Sequence, residues 1–130
     1  MSDVLYLDAS AIVKLVAREP ESEALIDYLA DRPERATSIV GAVESRRIGR
    51  VRGPEAVERL HFILSGVDVI DLDVAVAEAA AVVGPGLRTL DAIHLASALA
   101  LGTDLLALVT YDNRLAGAAR AVGLEVESPA

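Results

Sequence analysis

Four carboxylates stand where the chain's patterning can bring chemistry together: Asp8, Glu44, Asp91 and Asp112. Asp8 follows the apolar run Val4-Leu5-Tyr6-Leu7, and Asp112 follows the run from Leu105 to Thr110; both runs read as buried strands. In an open α/β sheet, ligands bind beyond the carboxyl ends of the strands, where the strand order reverses. If these two strands are neighbours, both acids open onto one crevice. Asp91 falls in the first turn of a helix and Glu44 in the middle of another, and either is able to project toward the same end. Two carboxylates roughly 5 Å apart repel by about 3 kcal/mol at an effective dielectric of ~20. Three or four in one cleft therefore require a cation, or one of them holds a proton.

Each acid also has an ordinary use. Aspartate is a preferred helix cap and turn residue, which would account for Asp8 and Asp112. Asp91, two residues beyond the expected cap Thr89, complements a helix dipole. Glu44 has the i, i+3 spacing for a surface pair with Arg47, worth only about 0.2–0.5 kcal/mol. His94, one turn beyond Asp91, reads as a satisfied core or supporting histidine rather than a metal ligand, and His61 as a partly exposed residue of an amphipathic helix.

The elements that must position these residues follow from apolar periodicity and punctuation. A helix is expected from Ala11 to Ala17, capped by Asp8 or Ser10, and another from Pro20 to about Ala30 with acids in its first turn. Arg35 to Ser38 is a short strand and Ile39 to Arg50 a helix. Gly53-Pro54-Glu55 opens a helix with Val57, Leu60, Ile63 and Leu64 on one stripe. Val67 to Leu72 alternates as a strand, with Val67, Val69 and Leu72 bracketing Asp68 and Asp71. An alanine-rich helix from Val74 to Val83 stops at Gly84-Pro85-Gly86. Thr89 caps the helix Leu90 to Leu101, which ends at Gly102. After the strand Leu105 to Thr110 come a helix from Asp112 to Val122 and a last strand, Leu124-Glu125-Val126. Strands alternating with helices predict a parallel sheet covered on both faces. The expected architecture is one α/β domain over residues 1–130, a three-layer α/β/α sandwich with five strands and about seven helices.

Composition narrows the classes. The chain has 130 residues, no cysteine and 53% hydrophobic residues. A disulfide framework, a thiolate zinc site and a cysteine nucleophile are excluded. The longest stretch free of charged side chains lies between Asp91 and Asp104, far short of the roughly 20 residues that span a membrane. Asp3 and Asp8 stand where a signal peptide would carry basic residues, so a cytoplasmic protein is expected. Only Tyr6, Tyr28, Phe62 and Tyr111 are aromatic, too few for a base-stacking platform. The net charge of -8 argues against a polyanionic partner. The local pattern argues the other way, because Arg46, Arg47, Arg50 and Arg52 cluster just after Glu44. They read as a solvated helix face or as a grip on a phosphate backbone, for which arginine is well suited.

The segments Leu7-Asp8-Ala9-Ser10-Ala11, Thr37-Ser38 followed by Glu44, Leu90-Asp91-Ala92-Ile93-His94-Leu95-Ala96-Ser97-Ala98, and Val109-Thr110-Tyr111-Asp112 occur in this order. Together they closely resemble the PIN-domain ribonucleases, in particular the VapC toxins of bacterial toxin–antitoxin pairs, nearly from end to end. The resemblance implies a central parallel sheet of order 3-2-1-4-5, which makes the first and fourth strands neighbours. It implies that Asp8, Glu44, Asp91 and Asp112 hold Mg²⁺ or Mn²⁺, that Ser10 and Thr110 steady carboxylates or water, and that Asn113 assists. It further implies RNA hydrolysis to 5′-phosphate and 3′-hydroxyl ends, a homodimer, and a small cognate antitoxin that offers a basic side chain to the acidic groove. The physics of the donor set agrees. Hard divalent cations take oxygen ligands, and a bound ion lowers the pKa of water and offsets charge on a scissile phosphate. The apolar stripes on 57–64 and 74–83 suit dimer or antitoxin contacts, and core burial accounts for them equally well.

Other classes fit less well. A haloacid-dehalogenase-like phosphatase wants a second acid two residues after Asp8, where Ser10 stands. A response-regulator receiver needs a lysine late in the chain, and the only lysine is Lys14. A non-catalytic interaction module would not need four acids at the sheet ends. A housekeeping PIN ribonuclease remains the alternative to a toxin.

Overall fold

The structure, a computed structural model, describes residues 2–130. Strand β1 (Val4–Leu7) leads into helices α1 (Ala9–Val16) and α2 (Ser22–Leu29), and β2 (Arg35–Ser38) into α3 (Ile39–Arg52) and α4 (Pro54–Ser65). Strand β3 (Asp68–Ile70) is followed by α5 (Val74–Ala80) and α6 (Thr89–Ala100). A 3-10 turn at Gly102–Asp104 then enters β4 (Leu105–Val109), which is followed by α7 (Asn113–Ala121) and β5 (Val126–Glu127).

All pairings are parallel and the order is β3-β2-β1-β4-β5, as the resemblance implied. Strand β1 is central and buries side chains on both faces, which is why its sequence is apolar throughout rather than alternating. Leu5 and Leu7 meet Ile12, Val16, Leu25, Leu29, Leu60 and Leu64 on one side of the sheet. Tyr6 meets Leu95, Leu108 and Leu115 on the other. Helices α1, α2 and α4 thus cover one face, and α6 and α7 the opposite face. The register sets Leu7 beside Val109 across the β1–β4 pair. The residues that follow, Asp8 and Thr110, therefore leave the sheet side by side.

Several expectations change in detail. Helix α1 starts at Ala9 with Asp8, not Ser10, at its cap. Thr89 does not cap α6: it is already helical, and Arg88 occupies the cap with no side-chain bond to the helix. Helix α5 ends at Ala80, ahead of the glycines, because Val82 and Val83 both donate to the Ala79 carbonyl in a tightened last turn. Val69 is 41% exposed although Val67 is buried, since β3 is an edge strand with little covering it. The last strand is shifted to Val126–Glu127. Among the described residues no helix is long and apolar enough to cross a membrane.

Candidate active site

Asp8 is the anchor of the site. It is 4% exposed, and its carboxylate accepts three hydrogen bonds. Oδ1 takes the backbone N–H of Ala11 at 3.0 Å, which caps α1, and the Ser10 hydroxyl at 2.6 Å. Oδ2 takes the Thr110 hydroxyl at 2.5 Å. Each hydroxyl has one proton and gives it to Asp8, so each is free to accept from the backbone of the facing loop. Ser10 Oγ accepts from Tyr111 N–H at 2.9 Å, and Thr110 Oγ1 from Asp112 N–H at 3.0 Å. Two hydroxyls thereby clamp the β1–α1 turn to the β4–α7 loop. Burial pushes the Asp8 carboxyl up from its ordinary value, while the bonds from Ser10 and Thr110, the nearby His94 and the Ala11 amide oppose that rise.

Asp112 caps α7. Its Oδ1 accepts from the N–H groups of Arg114 and Leu115 at 2.9 and 3.0 Å. The cap consumes one oxygen and leaves Oδ2 facing outward. Asp91, in the first turn of α6, presents its Oδ2 at 3.3 Å to Arg88 Nε, and Arg88 Nη2 lies 3.8 Å from Asp112 Oδ2. Arg88 therefore spans the two aspartates with a side chain that is 72% exposed. Its signal in the sequence was slight, an arginine three residues before Asp91.

Glu44 reaches from α3 toward α6. The i, i+3 pair with Arg47 does not form; instead Glu44 Oε1 is 2.6 Å from Nε2 of the buried His94. On the far side of that ring, Nδ1 is 2.7 Å from the Tyr6 hydroxyl. A carboxylate only accepts, so Nε2 carries a proton and donates to Glu44, and in the neutral ring Nδ1 accepts from Tyr6. The ring also meets Tyr6 edge to face, with centroids 5.8 Å apart. Gly41 permits this approach: a Cβ there would lie 2.2 Å from Thr37 Oγ1 and 3.2 Å from His94 Cε1.

The four arginines after Glu44 are all exposed. At about 100° per residue Arg46, Arg47 and Arg50 fall on one side of α3, and Arg52 points away from them. Arg47 lines a groove of about 490 Å³ with Glu44, Ile39, Val43, Ile48 and Leu90. Arg50 borders a separate depression with His61, and Arg52 lies 3.8 Å from Glu19. Arg46 has no ionic partner among the described residues. Asn113 opens α7 and is exposed.

Thr110 thus links Asp8 to Asp112 and Arg88 links Asp112 to Asp91, whereas Glu44 is tied to His94 and to none of the other three acids. Among the described residues no three acidic or histidine side chains stand close enough together to enclose a bare ion. A hydrated Mg²⁺ asks less, since it keeps several waters and binds through one or two carboxylates. The donor set suits it. Among the described residues Glu44 Oε2 and Asp91 Oδ1 carry no protein hydrogen bond, and Asp112 Oδ2 meets only the largely exposed Arg88.

The chain belongs to the PIN-domain family, whose model matches residues 5–121. Among its relatives, ribonuclease VapC35 of Mycobacterium tuberculosis is 45% identical over 131 residues, covering 97% of each chain. Ribonuclease VapC46 of the same organism is 44% identical over 126 residues, covering 96% of this chain and 97% of that one. The fold is shared with a toxin–antitoxin complex from Klebsiella pneumoniae, at a TM-score of 0.76 and 22% identity over 97% of this chain and 98% of that chain.

Proposed function

We propose that this protein is a metal-dependent endoribonuclease, acting as the toxin of a toxin–antitoxin pair. The observation that carries the reading is the hydrogen-bonded Asp8 carboxylate, locked by Ser10 and Thr110 beside Asp112 in a chain whose nearly full-length relatives are named ribonucleases. Asp8, Glu44, Asp91 and Asp112 are the residues that would hold Mg²⁺, with Mn²⁺ as a substitute. When bound, the ion supplies an activated water and offsets charge on the scissile phosphate.

The chain's own residues do the rest. Ser10 and Thr110 fix Asp8 in place and favour its charged form against the burial that raises its carboxyl. The α1 and α7 caps hold one oxygen each of Asp8 and Asp112 in place, so neither carboxylate has to be ordered when RNA arrives. Arg88 balances Asp91 and Asp112 at the solvent edge, and Arg47 sets a positive charge beside Glu44. Arg46, Arg47 and Arg50 contact the RNA backbone in this reading, with Arg47 beside Glu44, while Arg52 is turned toward Glu19. A homodimer and a small antitoxin whose basic side chain enters the acidic groove complete the proposal. The Klebsiella pneumoniae complex, built on the same fold, supports the antitoxin.

The test is cleavage of total RNA by wild type and Asp8→Asn with Mg²⁺, with Mn²⁺ and with a chelator. Wild type should cut only with metal, leaving 5′-phosphate ends, and Asp8→Asn should be inert while keeping its fold. Equal rates for the two proteins, or cleavage in chelator, would defeat the reading. Growth arrest on induction, relieved by a neighbouring small gene, separates a toxin from a housekeeping nuclease.

A further inference from the structure

We infer that His94 is a positioning residue of the nuclease site: it fixes Glu44 for metal binding, and Tyr6 in turn fixes the His94 tautomer. The inference rests on the reading of Glu44 as a metal-binding carboxylate. It is carried by a continuous chain of two short bonds through the protein interior. The Tyr6 hydroxyl, from the middle of β1, meets His94 Nδ1 at 2.7 Å, and His94 Nε2 meets Glu44 Oε1 at 2.6 Å.

An imidazole at this position is not what packing alone would select. His94 is 2% exposed and its helix neighbours on the buried face are Ala98 and Leu95, both within the apolar core. Burying a polar ring without partners is unfavourable, so the ring is tolerated here because both nitrogens are satisfied. Glu44 has the opposite problem. It is a long side chain on the rim of an apolar groove, and without an anchor its three torsions would be free to carry the carboxylate away from the other acids. The Nε2–H bond removes that freedom and takes only Oε1, leaving Oε2 for an ion. The bond is also directional. Because Tyr6 donates to Nδ1, the ring must present N–H, not a lone pair, to Glu44. Histidine partners of this kind, one bond away from a ligand, typically account for ten- to a hundred-fold of metal affinity or activity. Tyr6 lies on the strand that delivers Asp8, so the same strand governs the placement of both carboxylates.

The test uses the full chain and two amide variants that divide the ring's functions. The glutamine amide of His94→Gln sits near the position of Nε2 and can still donate to Glu44. The asparagine of His94→Asn sits near Nδ1 and can serve only Tyr6. Mn²⁺ binding by calorimetry should weaken about ten- to a hundred-fold in His94→Asn and stay near wild type in His94→Gln. Thermal melts of the two variants should not follow that ranking. Equal losses in both, or losses that track the melts, would overturn the proposal and return His94 to a purely structural role. Wild-type uptake of Mn²⁺ with undiminished uptake in His94→Asn would overturn it while leaving the metal site standing. No uptake by wild type would remove the metal reading and this proposal with it. A metal-free check is the nitrogen-15 spectrum of His94, which should show one tautomer protonated at Nε2. An averaged or Nδ1-protonated ring would overturn the inference.

Discussion

Replacing Thr110 by valine isolates the clamp on Asp8 with little change of shape. Thr110 is fully buried, and its hydroxyl both donates to Asp8 Oδ2 at 2.5 Å and accepts from Asp112 N–H at 3.0 Å. Loss of a hydrogen bond to a charged group is worth about 1.5–3 kcal/mol, and an amide left without an acceptor adds to that. Thr110→Val should therefore lose about 2–4 kcal/mol at neutral pH, a large part of a typical domain's stability. The loss should depend on pH, with a sign set by burial. The Asp8 carboxyl is raised in the folded state, so the native protein holds its proton to higher pH than the unfolded chain does. Across the window from the ordinary carboxylate value up to that raised value, stability falls as pH rises. Above the window, the folded protein carries the full cost of a buried charge. Removing the Thr110 hydroxyl raises the folded value further and widens the window upward. The stability difference between variant and wild type should thus be largest at neutral pH and shrink toward about pH 4, where Asp8 is increasingly protonated in both. Urea unfolding of both proteins in chelator, followed across this range, measures it. A difference independent of pH, or below about 1 kcal/mol at neutral pH, would refute the claim that Thr110 stabilises the charged form.

Further outcomes follow from the same geometry. Gly41→Ala places a Cβ against Thr37 Oγ1 and the His94 ring and should cost about 1–3 kcal/mol in urea unfolding; a neutral change would mean that α3 shifts freely. Arg88→Ala should alter stability by no more than about 0.5 kcal/mol, because its side chain is largely exposed. The same variant should bind Mn²⁺ more tightly by calorimetry, since a competing cation leaves Asp91 and Asp112; weaker binding would contradict this. Arg47→Ala should lower the salt dependence of RNA binding by about one unit of slope, while Arg52→Ala, whose partner is Glu19, should leave the slope unchanged. Equal effects would place all four arginines of α3 on one interface.

The strands that carry Asp8 and Asp112 were legible because their apolar runs end abruptly at a polar residue, and a parallel sheet puts function at such ends. Their adjacency was not legible from the residues. Pairing of β1 with β4 joins segments about a hundred positions apart, and only the family resemblance supplied that order. The partners of the acids were hidden for the same reason. Tyr6 and His94 are 88 residues apart and His94 and Glu44 are 50 apart, whereas sequence patterning speaks of neighbours within a turn or two. Local rules also misled at Thr89, a good capping residue that the backbone passes by. The loop before it turns at Gly84 and Gly86, both at positive φ, and delivers Arg88 to the cap instead. At Gly84 a Cβ would meet Leu87 Cδ1 at 2.5 Å, so a side chain there would displace Leu87 as well as strain the positive φ. Helical spacing groups Arg46, Arg47 and Arg50 on one side of α3, but the approach of Arg52 to Glu19 was not legible, because the two lie far apart in the chain.

Asp8 and Asp112 begin helices and also face the site, so the structural and chemical uses of aspartate coexist in one side chain. Their two oxygens divide the labour most cleanly at Asp112, where Oδ1 serves the amides of α7 and Oδ2 looks outward. Asparagine keeps the first oxygen and replaces the second with an amide nitrogen. In the proposed reading Asp112→Asn is therefore an inert copy that retains the helix start. Alanine at the same position yields no such decoy, because it removes both oxygens and loosens the helix start as well. Under the proposed toxin function, such a copy would be a bait for its own antidote.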